Sequence, residues 1–402
     1  MVTAETRPVR LAEKGWPQFR GPHRDGVSLE EGLLREWPEK GPDLLWSSGL
    51  LGKGYSSPIL QGERIFITGD VAHELHITAL DLAGKMVWKA TNGSSWKDPY
   101  PGSRSSVTVY GPHLFHLNAH GRMAAINVDN GREVWSTSIL TQFKANNITW
   151  GLSECLLADD KAVYVTAGGE DALLVAFNKN SGSILWKSAP LRDSNGEKNI
   201  ESSSYSSPIL VQNGTRQLII GCSVRHAFCV DSADGKIIWT HRFPTTYNVL
   251  SMMPTLVGDA VFITAPHGRG GKLLRIHDGS EIWTTKLDSL QGSVVVAGDL
   301  LIGSFYGGRK GWAAISRKTG EVRYDTSDFI KGTPLLADNR VYALCEDGQM
   351  LLLEAGETGF ERKGRFRFVE ANRDAWAHPV ILDGRLYLRY HDQLSCYRIS
   401  KN

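Results

Sequence analysis

Two tryptophans, Trp150 and Trp376, stand outside the repeating pattern of this chain. An indole with no packing duty is a side chain that stacks on a sugar or a quinone. Around them lie groups suited to proton transfer, with Glu154, Asp374 and His378 as acid or base candidates. Tyr55, Arg104, Tyr205 and Arg225 are candidates for holding a ligand alongside the two indoles. With Met252, Gln291 and Lys331 they mix aromatics, both signs of charge and hydrogen-bonding groups, as a pocket for a polar, ring-shaped ligand requires. Each has a plainer reading beside it. Trp150 and Trp376 would equally pack on neighbouring loops, and a lone Arg225 or Asp374 in a loop is more often solvated. Glycoside chemistry would need two carboxylates within catalytic reach of each other.

Metal and thiol chemistry have less support. His113, His116 and His120 are close in sequence, but a turn and a strand separate them, so they share no helical face for zinc. The five cysteines, Cys155, Cys222, Cys229, Cys345 and Cys396, are an odd count and argue against a disulfide framework. Cys222 and Cys229 flank a tight turn, so a cross-strand disulfide stands there beside the alternative of two small buried side chains. No phosphate-binding loop, nucleophile elbow or His-Glu-x-x-His motif is present. A net charge of +2 with both signs interspersed gives no basic tract for nucleic acid. No apolar run is long enough for a membrane-spanning helix. The opening MVTAETRPVRLAEKG lacks the apolar centre of a signal peptide, which leaves a cytoplasmic protein or a chain whose leader was removed.

These candidates must be held by the elements of a repeat. ALDLAGKMVWKA (79–90), AINVDNGREVWST (125–137), AFNKNSGSILWKS (176–188) and CVDSADGKIIWTH (229–241) are its clearest copies, with looser ones at 275–286 and 314–326. The anchors Trp46, Trp88, Trp135, Trp186, Trp239, Trp283, Tyr324 and Phe366 or Phe368 recur every ~41 to ~53 residues, the span of a four-stranded propeller blade. Runs such as RIFIT (64–68), AVYVT (162–166) and RLYLR (385–389) alternate at period two between Gly, Asn and Asp turns, the mark of half-buried strands.

The predicted fold is therefore all-β: an eight-bladed β-propeller of four-stranded antiparallel blades. The last unit, from Trp376, has three strands, and LLWSS (44–48) is a fourth strand with no unit before it. Closing the ring by letting the N-terminal strand complete the last blade removes exposed edges. Seven blades with an irregular tail is the alternative. Residues 1–42 form an N-terminal arm packing on the propeller domain of 43–402. Ser28 and Glu31 read as a capping box opening a short helix over 29–36. Three consecutive blades are approached by long loops, 92–106, 139–154 and 190–207, which suggests a lopsided binding face.

The blade consensus, Ala-x-(Asp/Asn)-x-x-(Thr/Ser/Asp)-Gly-x-x-x-Trp, resembles the tryptophan-docking repeat of the pyrroloquinoline-quinone (PQQ)-like β-propellers. WPQFRGPHRDGVS (16–28), GYSSP (54–58) and WAHPVILDGRLYLRYHDQLSCY (376–397) look like the PQQ-like repeat proteins of planctomycetes and related bacteria. The resemblance covers nearly the whole chain from Trp16. That superfamily holds both quinoprotein alcohol dehydrogenases and the propeller lipoprotein of the outer-membrane β-barrel assembly machinery, so it implies a fold more firmly than an activity. It implies a periplasmic or extracellular bacterial protein, a monomer, that binds a small polar ligand or a protein or peptide partner. PQQ with Ca²⁺ is disfavoured, because the chain has neither the adjacent Cys pair of the dehydrogenases nor a Cys-x-x-Cys-His haem motif. The leading reading is a ligand- or protein-binding scaffold without dehydrogenase activity. The alternatives are a carbohydrate- or alcohol-acting enzyme with its site on the loop-rich face, or a PQQ-binding quinoprotein.

If the recurrent indoles join neighbouring blades, Trp186→Ala costs roughly 3–5 kcal/mol, the range for truncating a buried aromatic. An unchanged melting temperature would place Trp186 away from any blade interface.

Overall fold

Each position of the repeat has a structural task. The small residue that opens it lies directly across from the aromatic on the neighbouring strand: Ala79 faces Trp88, Ala125 faces Trp135, Ala176 faces Trp186 and Cys229 faces Trp239. The Asp or Asn two residues later caps the turn, as when Asp81 Oδ1 accepts from the Ala83 and Lys85 amides, both at 2.9 Å. The aromatic then docks onto the next blade. Trp186 Nε1 donates to Ser232 O at 2.9 Å, and the ring is covered by Gly235. Gly235 has φ +79°, and a Cβ there would lie 2.5 Å from the indole, so only glycine allows this approach. Trp46, Trp88, Trp135, Trp239 and Trp283 repeat the arrangement on Leu82, Val128, Lys179, Ile276 and Arg317.

The computed structural model describes residues 6–10, 14–192, 200–307 and 311–401. Eight antiparallel four-stranded sheets follow one another around a ring. Blade 1 comprises Ile59–Gln61, Arg64–Val71, Glu74–Leu80 and Met86–Ser94. Blade 8 comprises Val380–Leu382, Arg385–Tyr390 and Gln393–Arg398, with Asp43–Ser48 as its outer strand. Asp43 pairs with Arg398 and Ser48 with Leu394. The N-terminal side supplies the docking glycine of this blade too: Gly41, at φ +82°, lies against Phe366 of blade 7. Eight blades closed by the N-terminal strand are thus observed, and the seven-blade alternative is excluded.

The arm does more than lie on the surface. It threads the central channel and touches the innermost strands of several blades in turn. Thr6–Pro8 pairs with Val211–Asn213, Trp16 bridges Leu60, Pro17 O accepts from the Val109 amide, and Val27–Ser28 runs parallel to Leu336–Ala337. Two arginines lock it, at 2 % and 3 % exposure. Arg20 donates to Gly292 O (3.2 Å) and Val294 O (2.6 Å), and Arg24 to Leu156 O (3.0 Å) and Cys155 O (2.5 Å).

Two expectations are corrected, and the choice left open at Cys222 and Cys229 is decided for two buried thiols. No helix forms over 29–36: Gly32 takes φ +72°, and Ser28 and the neighbouring Glu30 bond to blade 8. Ser28 Oγ donates to Ile381 O at 3.1 Å, and the Glu30 carboxylate accepts from the Gly384 amide at 2.9 Å. The hairpin register pairs Cys222 with Ala227 and Cys229 with Ile220, so the two thiols do not face each other. Both are free and buried. Trp186 is only half-buried, whereas Trp239 and Trp283 are 6 % and 9 % exposed. The expected cost of Trp186→Ala accordingly falls to ~2–3 kcal/mol, in proportion to the smaller buried area.

Arg20→Met removes the donors from two buried carbonyls at nearly constant volume. Chemical denaturation should show a loss of ~2–3 kcal/mol, the penalty for leaving buried acceptors unpaired. An unchanged midpoint would mean that the arm contributes nothing to the closed ring.

Candidate functional site

Strand alternation puts the loop leading into each innermost strand, and the loop between second and third strands, on one face, here called upper. The arm closes the channel beneath it. Phe19 packs on His378 with ring centroids 4.5 Å apart, and His378 Nε2 lies 2.9 Å from Gln291 O. Burial, reinforced by the charge of Arg20, pushes the His378 imidazole down to about 3, so it is neutral and part of the floor. Glu154 is also below the surface. It is fully buried, accepts the Thr166 amide on both oxygens (3.2 and 3.1 Å), and is pushed up to about 7 by burial, which hydrogen bonding from Thr166 and, less, the nearby Arg24 of the arm only partly offset.

The sequence-predicted residues separate into two sectors of the upper face. In the first, Tyr55 and Trp376 meet with centroids 4.9 Å apart, and Tyr100 approaches Trp376 at 5.4 Å. Asp374 accepts from the Tyr390 hydroxyl (2.9 Å) and sits 3.0 Å from His391 Nε2. The sequence reading missed the central group, Glu346. Its Oε1 accepts Trp376 Nε1 (3.1 Å) and Gln291 Nε2 (3.3 Å), while Lys331 Nζ is 3.5 Å from Oε2 and 3.9 Å above the Tyr306 ring. Burial pushes the Glu346 carboxyl up to about 7 against the pull of Lys331.

In the second sector, Trp150 and Tyr205 meet at 5.7 Å, and the Trp150 amide donates to the Tyr205 hydroxyl at 3.2 Å. Arg225 is held by Glu201, another residue not anticipated, through Nε (2.7 Å) and its amide (3.0 Å). Burial opposes ionisation of Glu201, but donors from His226, Ser223 and Arg225 outweigh it and hold the carboxyl below its usual range. A cleft of about 530 Å³ opens here, lined by Lys144, Asn147, Tyr205, Arg225 and Tyr247 among others. Arg104 joins the sectors, within electrostatic reach of Tyr55 and Tyr205. Its guanidinium is spent on the carbonyls of Trp150 (2.5 Å), Tyr100 (2.8 Å), Gly102 (2.9 Å) and Pro99 (3.2 Å), so it staples two long loops together.

This fold and face can now be set beside known proteins. The family described as outer membrane protein assembly factor BamB matches residues 27–153 and 76–326. The chain belongs to that family. It is 24 % identical over 272 residues to the outer membrane protein assembly factor BamB of Yersinia pestis, covering 67 % of this chain and 58 % of that protein. The Shewanella oneidensis BamB is 23 % identical over 374 residues, 78 % of this chain and 89 % of the relative. Among solved structures, BamB from Moraxella catarrhalis superposes with a TM-score of 0.63 at 15 % identity, covering 90 % of this chain and 98 % of that one. The quinohemoprotein alcohol dehydrogenase of Comamonas testosteroni gives 0.72 at 11 % identity, with 98 % and 82 % covered. The structural likenesses establish the propeller fold shared by both branches.

The residues of the upper face do not fit a quinone with its calcium ion. No cluster of three or more Asp, Glu, His or Cys suited to a metal occurs among the described residues. Glu346 is committed to Trp376, Gln291 and Lys331, and Asp374 to Tyr390 and His391. The three clustered histidines go separate ways: His113 to Asn180, His116 to Asn92 and Ser105, His120 to Ser95.

Glu154 gives a pH test. Unfolded, its carboxyl ionises near 4.5, whereas the folded chain keeps the proton until about 7. The folded state therefore binds more protons across that window, and stability falls as pH rises through it, by up to ~3 kcal/mol. Glu154→Gln should remove this slope, so the variant gains on the wild type between pH 5 and pH 8 in urea unfolding. Parallel pH profiles would contradict the burial of an ionisable Glu154.

Proposed function

We propose that this protein is a docking scaffold for a protein partner in assembly of the bacterial outer membrane, acting in the cell envelope and without dehydrogenase chemistry. One observation carries the reading. The chain's own arm lies against the innermost strands of the channel, and Glu346, Asp374, Arg104 and Arg225 at its mouth already have internal partners. What remains is a shallow aromatic face, on which Tyr100 and Tyr247 are 53 % and 62 % exposed. Such a face suits the protruding loop of another protein, since exposed aromatic side chains anchor interfaces at low entropic cost. Membership of the family and the names of its relatives support the same partner class.

A photo-crosslinking amino acid at Tyr100 or Tyr247, in the cells that make this protein, should yield a discrete protein adduct, while the same residue at Glu63 on the opposite face should not. Absence of any protein adduct from both upper-face positions would reject the scaffold reading.

A further inference from the structure

The cleft of about 530 Å³ in the second sector of the upper face is walled by loops of three successive blades. The segments at 144–149 and 168–170 belong to blade 3, Ser202, Tyr205 and Arg225 to blade 4, and Tyr247 and Asn248 to the loop entering blade 5. Part of the wall is close-packed backbone: Gly168 takes φ +58°, and a Cβ there would strike the Ser203 amide nitrogen. The volume falls within the ~300–1,000 Å³ of small-molecule sites.

The lining selects by what it withholds. Lys144 Nζ is 3.2 Å from Asp171, and Arg225 is held by the buried Glu201 at 2.7 Å, so both cations are already matched. Glu170 adds a carboxylate with no ion pair to another described residue, which opposes an anionic ligand. A metal cation finds no group of three ligating side chains among the described residues. An aliphatic ligand finds little surface, because Ile148 and Val224 are each only 8 % exposed. Two phenol rings and uncharged hydrogen-bonding groups are left. Tyr247 is largely exposed and braced edge-on by His267 at 5.0 Å, while Tyr205 rests on Trp150. The side chains of Asn146, Asn248 and Ser202 make no hydrogen bond with another described residue.

We propose that this cleft binds a neutral pyranose saccharide, its C–H face on Tyr247 and its hydroxyls on Asn146, Asn248, Ser202 and Glu170. A pyranose ring has an apolar face and a polar edge, and the cleft offers an aromatic platform beside uncharged donors and acceptors. Amide and hydroxyl groups both donate and accept, as sugar hydroxyls do, and a free carboxylate accepts from a neighbouring pair of them. The inference goes beyond partner docking and does not rest on it, since it needs only the isolated chain and a small ligand.

The test is saturation-transfer difference NMR on the purified full chain with maltose, cellobiose and N,N′-diacetylchitobiose. At least one should bind with a Kd below ~1 mM, and its ring C–H protons should saturate most strongly. Sorbitol, an open-chain polyol, and cellobiouronic acid, a charged analogue, should bind at least ~tenfold more weakly than that sugar. Tyr247→Ala combined with Asn146→Ala should weaken the sugar at least ~tenfold, the worth of one ring contact and one hydrogen bond together. Both side chains are exposed, and Asn248→Asp gives a second readout in the same direction should the double variant fail to fold. Tyr100→Ala, in the first sector, should leave binding unchanged. Binding of none of the three disaccharides, equal binding of sorbitol or the uronic acid, undiminished binding by the cleft variants, or an equal loss in Tyr100→Ala would overturn the proposal.

Discussion

The backbone pairing of Asp43–Ser48 with Gln393–Arg398 is the contact on which the whole molecule rests. Seven sheets are continuous in sequence and would form from local hairpins, but the eighth exists only when both ends of the chain meet. Without it, two sheet edges would expose unpaired amides and carbonyls, a template for association with other chains. The same segment brings Trp46 to Leu82 of blade 1 and Gly41 to Phe366 of blade 7, so one strand completes two inter-blade seams. The arm extends that dependence inwards, because the residues just before Gly41 seat Trp37 on Tyr342 and Phe366.

Architecture was legible because the repeat writes each physical role at a fixed offset. A small residue opposite an indole, a side-chain-capped turn and a glycine under the next ring leave a pattern visible without coordinates. The isolated LLWSS run was legible for the same reason, being a fourth strand without its first three. What local patterning could not show was the destination of the arm. Ser28 and Glu31 satisfy the spacing of a helix cap, yet Ser28 finds a carbonyl 353 positions away, and tertiary partners overrode the local preference. The Cys222–Cys229 symmetry failed by a similarly small margin, since the tight turn occupies Ser223–Arg225 and shifts the register by two residues.

The upper face was only half legible. Residues preceding the innermost strands were found by position, and Tyr55, Trp376, Trp150 and Tyr205 do meet in two aromatic clusters. Glu346, Glu201 and His391 were missed because they lie elsewhere: Glu346 and His391 follow second strands, and Glu201 stands two-thirds of the way along a loop. The run Cys345–Asp347, with acids directly after a buried apolar strand, was the available signal. Roles proved harder than positions. Arg104 and Arg225 carry charge but give it to carbonyls and to Glu201, so side-chain type alone misleads where internal partners are abundant.

The threaded arm also sets an order of events during synthesis. Residues 43–48 leave the ribosome long before their partners at 394–398, so this strand must wait, unpaired, while the blades between are made. Contacts of such sequence separation are slow to form, and the waiting sheets are open to misassembly meanwhile. A nascent or truncated chain is thus a different physical object from the finished one: a curved stack of sheets whose last blade lacks its outer strand and whose edges are still open.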